Sequence, residues 1–157
     1  VLRNRHAING VIVEDIDSCM IKFSKCCAPV PGDDIIGFIT RGYGVSVHRM
    51  DCPNAQARND PRQAARWVHC AWANAEDQPF NTTLELECIN RDGLVMDVST
   101  ALFAAKVKLK GFNALEPTDV RCVISVVLEV KNVAELTGIT NKLLSIPDVL
   151  EARRGQS

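Results

Sequence analysis

Two adjacent cysteines constrain this chain more than any other feature. Cys26 and Cys27 sit in the run Lys25-Cys26-Cys27-Ala28-Pro29-Val30-Pro31-Gly32-Asp33; His48 follows 21 positions after Cys27, and Cys52 lies 4 positions further on. Three thiols and one imidazole form a complete tetrahedral ligand set, the Cys3His type of structural zinc. Soft thiolates suit that ion, and binding would supply folding energy to a module with little apolar core. In an extended strand neighbouring side chains point to opposite faces, so shared ligation demands a backbone turn at Cys26-Cys27. The Ala-Pro-Val-Pro-Gly that follows permits one. Spacing alone leaves two other readings open. The cysteines can be buried small hydrophobes beside a satisfied histidine. Alternatively, Cys26 or Cys27 can be a nucleophile, with His48 as base and Asp51 as its orienting partner.

Composition narrows the setting. The 157 residues carry seven cysteines, an odd number, and no apolar run follows the first residues to form an export signal. A disulfide framework is therefore not expected, and a reducing cytoplasm is the expected location. Cys19, Cys70, Cys88 and Cys122 are expected to be buried packing. No stretch approaches the ~20 apolar residues of a membrane span, so no membrane partner is expected. A first residue Val1 rather than Met suggests a piece of a longer chain. Net charge is −1, from 18 Lys+Arg against 19 Asp+Glu. That excludes a strongly basic nucleic-acid binder and leaves local patches at Arg41, His48 and Arg49, and at Arg58, Arg62 and Arg66.

Patterning predicts an α+β chain in two parts. Residues 1–9 read as linker remnant and 10–72 as a small β-rich Cys/His module with one helix. Within it, 35–40 and 45–48 are strands joined by the glycine-bearing turn Arg41-Gly42-Tyr43-Gly44. A helix entered at Asp51–Asn54 through Pro53 runs to about Arg66, broken or restarted by Pro61, and 67–72 closes the module as a strand. The polar stretch 73–79 is a linker. In 80–154 the alternation Leu84, Leu86, Cys88 against Glu85, Glu87 marks a half-buried strand. A helix follows with Val95, Val98, Leu102 and Ala105 on one face, then strands at 109–115 and 122–130. A second helix is capped by Asn132 with Glu135, and a strand at 149–153 ends the order β-α-β-β-α-β, the ferredoxin-like pattern.

The turn Asn90-Arg91-Asp92-Gly93-Leu94-Val95 is the second candidate site. Gly93 allows a tight reversal that leaves helix N-terminal N–H groups outward for a carboxylate, and Asp92 can accept from an amine, which together suit an amino acid. An Asx-Gly turn that merely starts a helix is the competing reading.

The run Cys26-Cys27-x-Pro-Val-Pro-Gly-Asp, followed by Ile36-Gly37-Phe38-Ile39-Thr40-Arg41-Gly42-x-Gly44-Val45-Ser46-Val47-His48-Arg49-x-Asp51-Cys52-Pro53-Asn54, resembles the conserved-cysteine (zinc-finger, or ribosome-inter-subunit) domain of Rel/SpoT proteins. The Asp-x-Gly-Leu type loop in a βαββαβ frame resembles an ACT domain, which the same family carries next. Asp15 and Tyr43 depart from the family pattern, where Gly and a basic residue are usual. The resemblance implies zinc held by Cys26, Cys27, His48 and Cys52, and RNA contacts from Arg41 and Arg49. The implied partners are a ribosome carrying uncharged tRNA, through ribosomal RNA, and the catalytic domains of a parent GTP pyrophosphokinase. It further implies an amino-acid ligand at Asn90, Asp92, Gly93 and Leu94, and pairing into homodimers. The piece itself is expected to be non-catalytic, regulating remote (p)ppGpp synthesis or hydrolysis. The alternative is an amino-acid-sensing ACT module whose Cys/His part is purely structural.

Overall fold

The structure is a computed structural model, and it describes residues 10–14, 20–42, 44–73 and 79–155. The linker remnant, Asp15, Cys19, Tyr43 and most of the 73–79 linker lie outside the described residues. The chain divides into two compact units, one reaching residue 78 and one beginning at Pro79.

Among the described residues the first unit has five strands: β1 (Val11–Val13), β2 (Met20–Phe23), β3 (Ile35–Ile39), β4 (Gly44–Arg49) and β5 (Trp67–Trp72). They form one sheet in the order β1-β5-β3-β4-β2, antiparallel except for β2 beside β4. Strand alternation divides the side chains between two faces. Val11, Val13, Ile21, Ile35, Val45 and Val47 build one core, with Phe23, Val68 and Trp72 packed on it. Their neighbours Ile36, Cys27, Cys52 and Ala55 form a second, smaller cluster on the other side, with Cys26, Met50 and Trp67 against it. The larger cluster is built on aliphatic side chains, whereas the smaller is rich in sulfur. Gly37 of β3 leaves no room for a side chain. A Cβ there would stand 2.5 Å from Val45 Cγ1 and 2.7 Å from Cys70 Sγ.

The expected helix after Cys52 is corrected by the structure. Pro53–Asn59 and Ala64–Arg66 are two 3₁₀ segments, separated around Pro61. Neither carries a large apolar side chain, and Ala55 is the one buried position. Without a continuous apolar stripe nothing rewards a full α-helix, and short 3₁₀ turns suffice as connectors.

The second unit carries β6 (Phe80–Ile89), α1 (Leu94–Ala104), β7 (Lys108–Leu115), β8 (Arg121–Val130), α2 (Val133–Leu144) and β9 (Val149–Arg154). The sheet order β7-β8-β6-β9 is the ferredoxin-like arrangement, with all pairs antiparallel. Leu84, Leu86 and Cys88 of β6 and Cys122, Ile124, Val126 and Leu128 of β8 form the buried face. Leu94, Val98 and Leu102 of α1 and Leu136, Ile139 and Leu143 of α2 supply the helical side of that core. Asn132 caps α2, its side-chain oxygen accepting the Glu135 N–H at 2.8 Å. No helix among the described residues is long and apolar enough to cross a membrane.

Candidate metal centre

Three local devices deliver the four candidate ligands. Past the end of β2 the chain turns sharply: the Ala28 N–H donates to the Ser24 carbonyl at 2.9 Å, and Ala28 has φ +44°. That is the turn shared ligation requires, and it brings the Cys26 and Cys27 thiols to the same side. A second tight turn follows. Val30 N–H donates to Asp33 Oδ2 at 2.8 Å and Asp33 N–H returns to Val30 O at 3.0 Å, with Gly32 at φ +101°. His48 projects from β4 on the face opposite Val45 and Val47. Cys52 stands at the entry to the first 3₁₀ segment, its N–H donating to Arg49 O at 3.0 Å and its carbonyl accepting from Ala55.

The result is a compact set, all four ligand atoms lying within 4.8 Å of one another. Cys26 Sγ is 3.5 Å from Cys52 Sγ, 4.0 Å from Cys27 Sγ and 3.4 Å from His48 Nδ1, and Cys27 Sγ is 3.8 Å from the same nitrogen. A tetrahedron with Zn–S bonds of about 2.3 Å has sulfur–sulfur edges of about 3.8 Å, so the observed separations fit one central ion. Cys27 and Cys52 are fully buried. Burial pushes the Cys27 thiol up to about 12; the Arg49 backbone N–H, donating to its sulfur at 3.3 Å, opposes this, and charge on Cys26 and Cys52 adds to it. Burial also lowers His48, which keeps the imidazole neutral and available as a ligand. Thiols that cannot ionise alone will do so against a divalent cation, so these four residues can hold a metal ion.

The nucleophile reading is not supported. The Cys27 thiol, held near 12, is a poor nucleophile at neutral pH. Asp51 does not orient the ring: its carboxylate lies 3.4 Å from Arg49 Nε, and His48 Nε2 instead meets Ser24 Oγ at 3.0 Å. Ser24 in turn meets Ser46 Oγ at 2.8 Å. Trp67 closes the other side of the ring, 5.6 Å between centroids. Ser24, Ser46 and Trp67 were not among the expected site residues. Strand alternation could have signalled Ser46, two residues before His48 on the same face, whereas Ser24 lies just past β2 and Trp67 opens β5.

Of the two arginines expected to contact RNA, Arg41 is exposed at the β3–β4 turn. Arg49 has a side chain only 14% exposed and pairs with Asp51. The candidate amino-acid loop is assembled too. Asn90, Asp92, Gly93 and Leu94 line one open cleft of about 590 Å³ with Glu116 and Cys122. Gly93 is left-handed at φ +80°, as a tight reversal needs. Not every helix N–H points outward, since that of Leu94 turns back to Arg91 O at 3.4 Å. Arg91, which the sequence did not single out, ties the loop down through Asp97 at 2.7 Å and Asp148 at 2.9 Å.

Comparison with known proteins accounts for both units. Residues 11–73 match the family model of the RelA/SpoT RIS domain, and residues 76–154 match an ACT domain model. The GTP pyrophosphokinase of Escherichia coli (strain K12) is 35% identical over 155 residues, covering 97% of this chain and 21% of that protein. The bifunctional (p)ppGpp synthase/hydrolase RelA of Mycobacterium tuberculosis is 34% identical over 145 residues, covering 92% of this chain and 19% of that protein. A GTP pyrophosphokinase of Streptomyces coelicolor is 40% identical over 100 residues, covering 64% of this chain and 12% of that protein. The chain thus spans a minor part of each relative's length. With a RIS domain followed by an ACT domain, and with relatives of that family matching across both, the chain belongs to the Rel/SpoT family.

Proposed function

We propose that this chain is a non-catalytic regulatory region of a stringent-response GTP pyrophosphokinase. Its first unit docks the enzyme on a ribosome carrying uncharged tRNA, and the state sensed there controls (p)ppGpp synthesis or hydrolysis in remote catalytic domains in the cytoplasm. The observation that carries this reading is the closed Cys26–Cys27–His48–Cys52 set. Four protein ligands around zinc leave no open position for a substrate or a reactive water, the signature of a structural rather than a catalytic site. Zinc would fasten the turn after β2, the end of β4 and the first 3₁₀ segment to one another, giving a small module a rigid surface. Arg41 would meet the RNA backbone from that surface, while Arg49 would serve the site through its own N–H and its pairing with Asp51. With a net charge of −1, RNA affinity should be modest and steeply dependent on salt.

The test is co-sedimentation of the zinc-loaded chain with ribosomes carrying uncharged tRNA, at several salt concentrations. Pelleting at low salt that is lost in Cys52→Ser and weakened in Arg41→Ala supports docking. No pelleting at any salt rejects it.

The cleft at Asn90, Asp92, Gly93 and Leu94 favours a second reading, an amino-acid sensor that pairs with another copy. An amino acid at one hundred times its Kd should stabilise the chain by about 2.7 kcal/mol, and a thermal-shift screen would read this directly.

A further inference from the structure

Ser24 stands at a junction of the first unit. Its N–H donates to Val47 O at 2.9 Å, which extends the parallel pairing of β2 with β4 and fixes its backbone beside His48. Its carbonyl accepts the Ala28 N–H at 2.9 Å, closing the turn that presents Cys26 and Cys27. Its hydroxyl lies between two groups of β4, 3.0 Å from His48 Nε2 and 2.8 Å from Ser46 Oγ. The other ring nitrogen, Nδ1, is the one facing sulfur, 3.4 Å from Cys26 Sγ.

A neutral imidazole carries one N–H, and a metal takes the nitrogen without it. Coordination through Nδ1 therefore requires the proton on Nε2, and a half-buried N–H needs an acceptor. We propose that Ser24, backed by Ser46, is a positioning residue for the metal centre: its hydroxyl accepts a hydrogen bond from the Nε2–H of His48 and holds the ring in the tautomer and orientation that offer Nδ1 to the ion. This rests on the metal reading above. The hydroxyl proton of Ser24 then points to Ser46 Oγ, so the three groups form one directed chain from the ring outward. A hydroxyl also suits the charge of this site. Three thiolates already exceed the charge of a divalent ion, and a carboxylate behind the histidine would add another negative charge, whereas serine accepts the hydrogen bond and adds none. In the metal-free chain the same hydroxyl can instead donate to Nε2, so the ring stays seated before the ion arrives.

Ser24→Ala keeps both backbone bonds and removes only the hydroxyl, which makes it a clean probe. In the zinc-loaded 157-residue chain, long-range proton–nitrogen NMR correlations should show His48 protonated on Nε2 and coordinated through Nδ1. Competition with a chromophoric chelator should show Ser24→Ala binding zinc about tenfold more weakly. The cobalt(II) absorption bands should shift in the same variant, and Ser24→Thr should restore both affinity and spectrum. Coordination through Nε2 overturns the proposal, and so does unchanged affinity with an unchanged cobalt spectrum in Ser24→Ala. If Ser24→Ala does not fold, the tautomer measured on the unsubstituted chain decides. Stoichiometric zinc in that chain with an indifferent Ser24→Ala removes the positioning role alone, whereas no zinc uptake at all removes the metal reading and this proposal with it.

Discussion

Cys88 of β6 and Cys122 of β8 stand directly opposite each other in register, both buried beneath the helices of the second unit. Burial, and then charge on Cys122, pushes the Cys88 thiol up to about 11 from an ordinary 9.0; burial raises Cys122 as well. Between those two values the folded chain keeps a proton that the unfolded chain releases. The stability contribution is therefore complete below about pH 9 and is lost as pH rises toward about 11. Denaturant unfolding followed by circular dichroism should show a decline above about pH 9 that is less steep in Cys88→Ala. The substitution should itself cost about 1 kcal/mol at neutral pH through lost packing. Equal slopes in the two proteins would remove the assignment.

Cys52→Ser should take bound zinc from about one per chain to none, by elemental analysis, and a strong chelator should do the same to the unsubstituted protein. Trp67 and Trp72 are the only tryptophans, and both lie in β5 of the first unit. Their fluorescence therefore reports melting of that unit alone, and it should shift to lower temperature in either case. A metal-free chain with an unchanged tryptophan transition would mean the cysteines serve only as packing.

Gly37→Ala places a methyl 2.5 Å from Val45 Cγ1 and 2.7 Å from Cys70 Sγ, inside the aliphatic core between β3, β4 and β5. Both neighbours are themselves buried or packed against that core, so neither can swing away. The expected cost is about 1–3 kcal/mol, read from the same tryptophan transition. Gly42→Ala is the control, since nothing lies within 4 Å of its added Cβ.

In the second unit, Gly93→Ala forces a side chain into the left-handed region at φ +80° and should cost about 1–2 kcal/mol. Asn132→Ala removes the acceptor for the Glu135 N–H and should cost about 1 kcal/mol. If the cleft binds an amino acid, only Gly93→Ala should also abolish the ligand-induced thermal shift. Equal loss in both variants would mark the effect as global destabilisation.

Elements whose signals are local could be read from the order of residues alone. Alternation placed β6, because facing a core on one side leaves a period of two. The Asn132–Glu135 spacing placed the start of α2, because a cap acts over three residues. The cysteine run limited the chemistry to three thiols and one imidazole, since ligand type is written in residue identity.

Features that depend on partners distant in sequence emerged only from packing. Only the pairing of β2 with β4 brings Ser24 to His48, 24 positions away, and only the antiparallel passage of β3 against β5 sets Trp67 beside that ring. Arg91 reads as an ordinary turn residue until the end of α2 returns Asp148 to within 2.9 Å of its guanidinium. The stretch after Cys52 read as one helix because Pro53 is a good starting residue, but a helix persists when it buries an apolar face, and this one had none to bury. Residue type fixes what a side chain can do; which groups it does it with is set by long-range packing, whose information is spread over the whole chain.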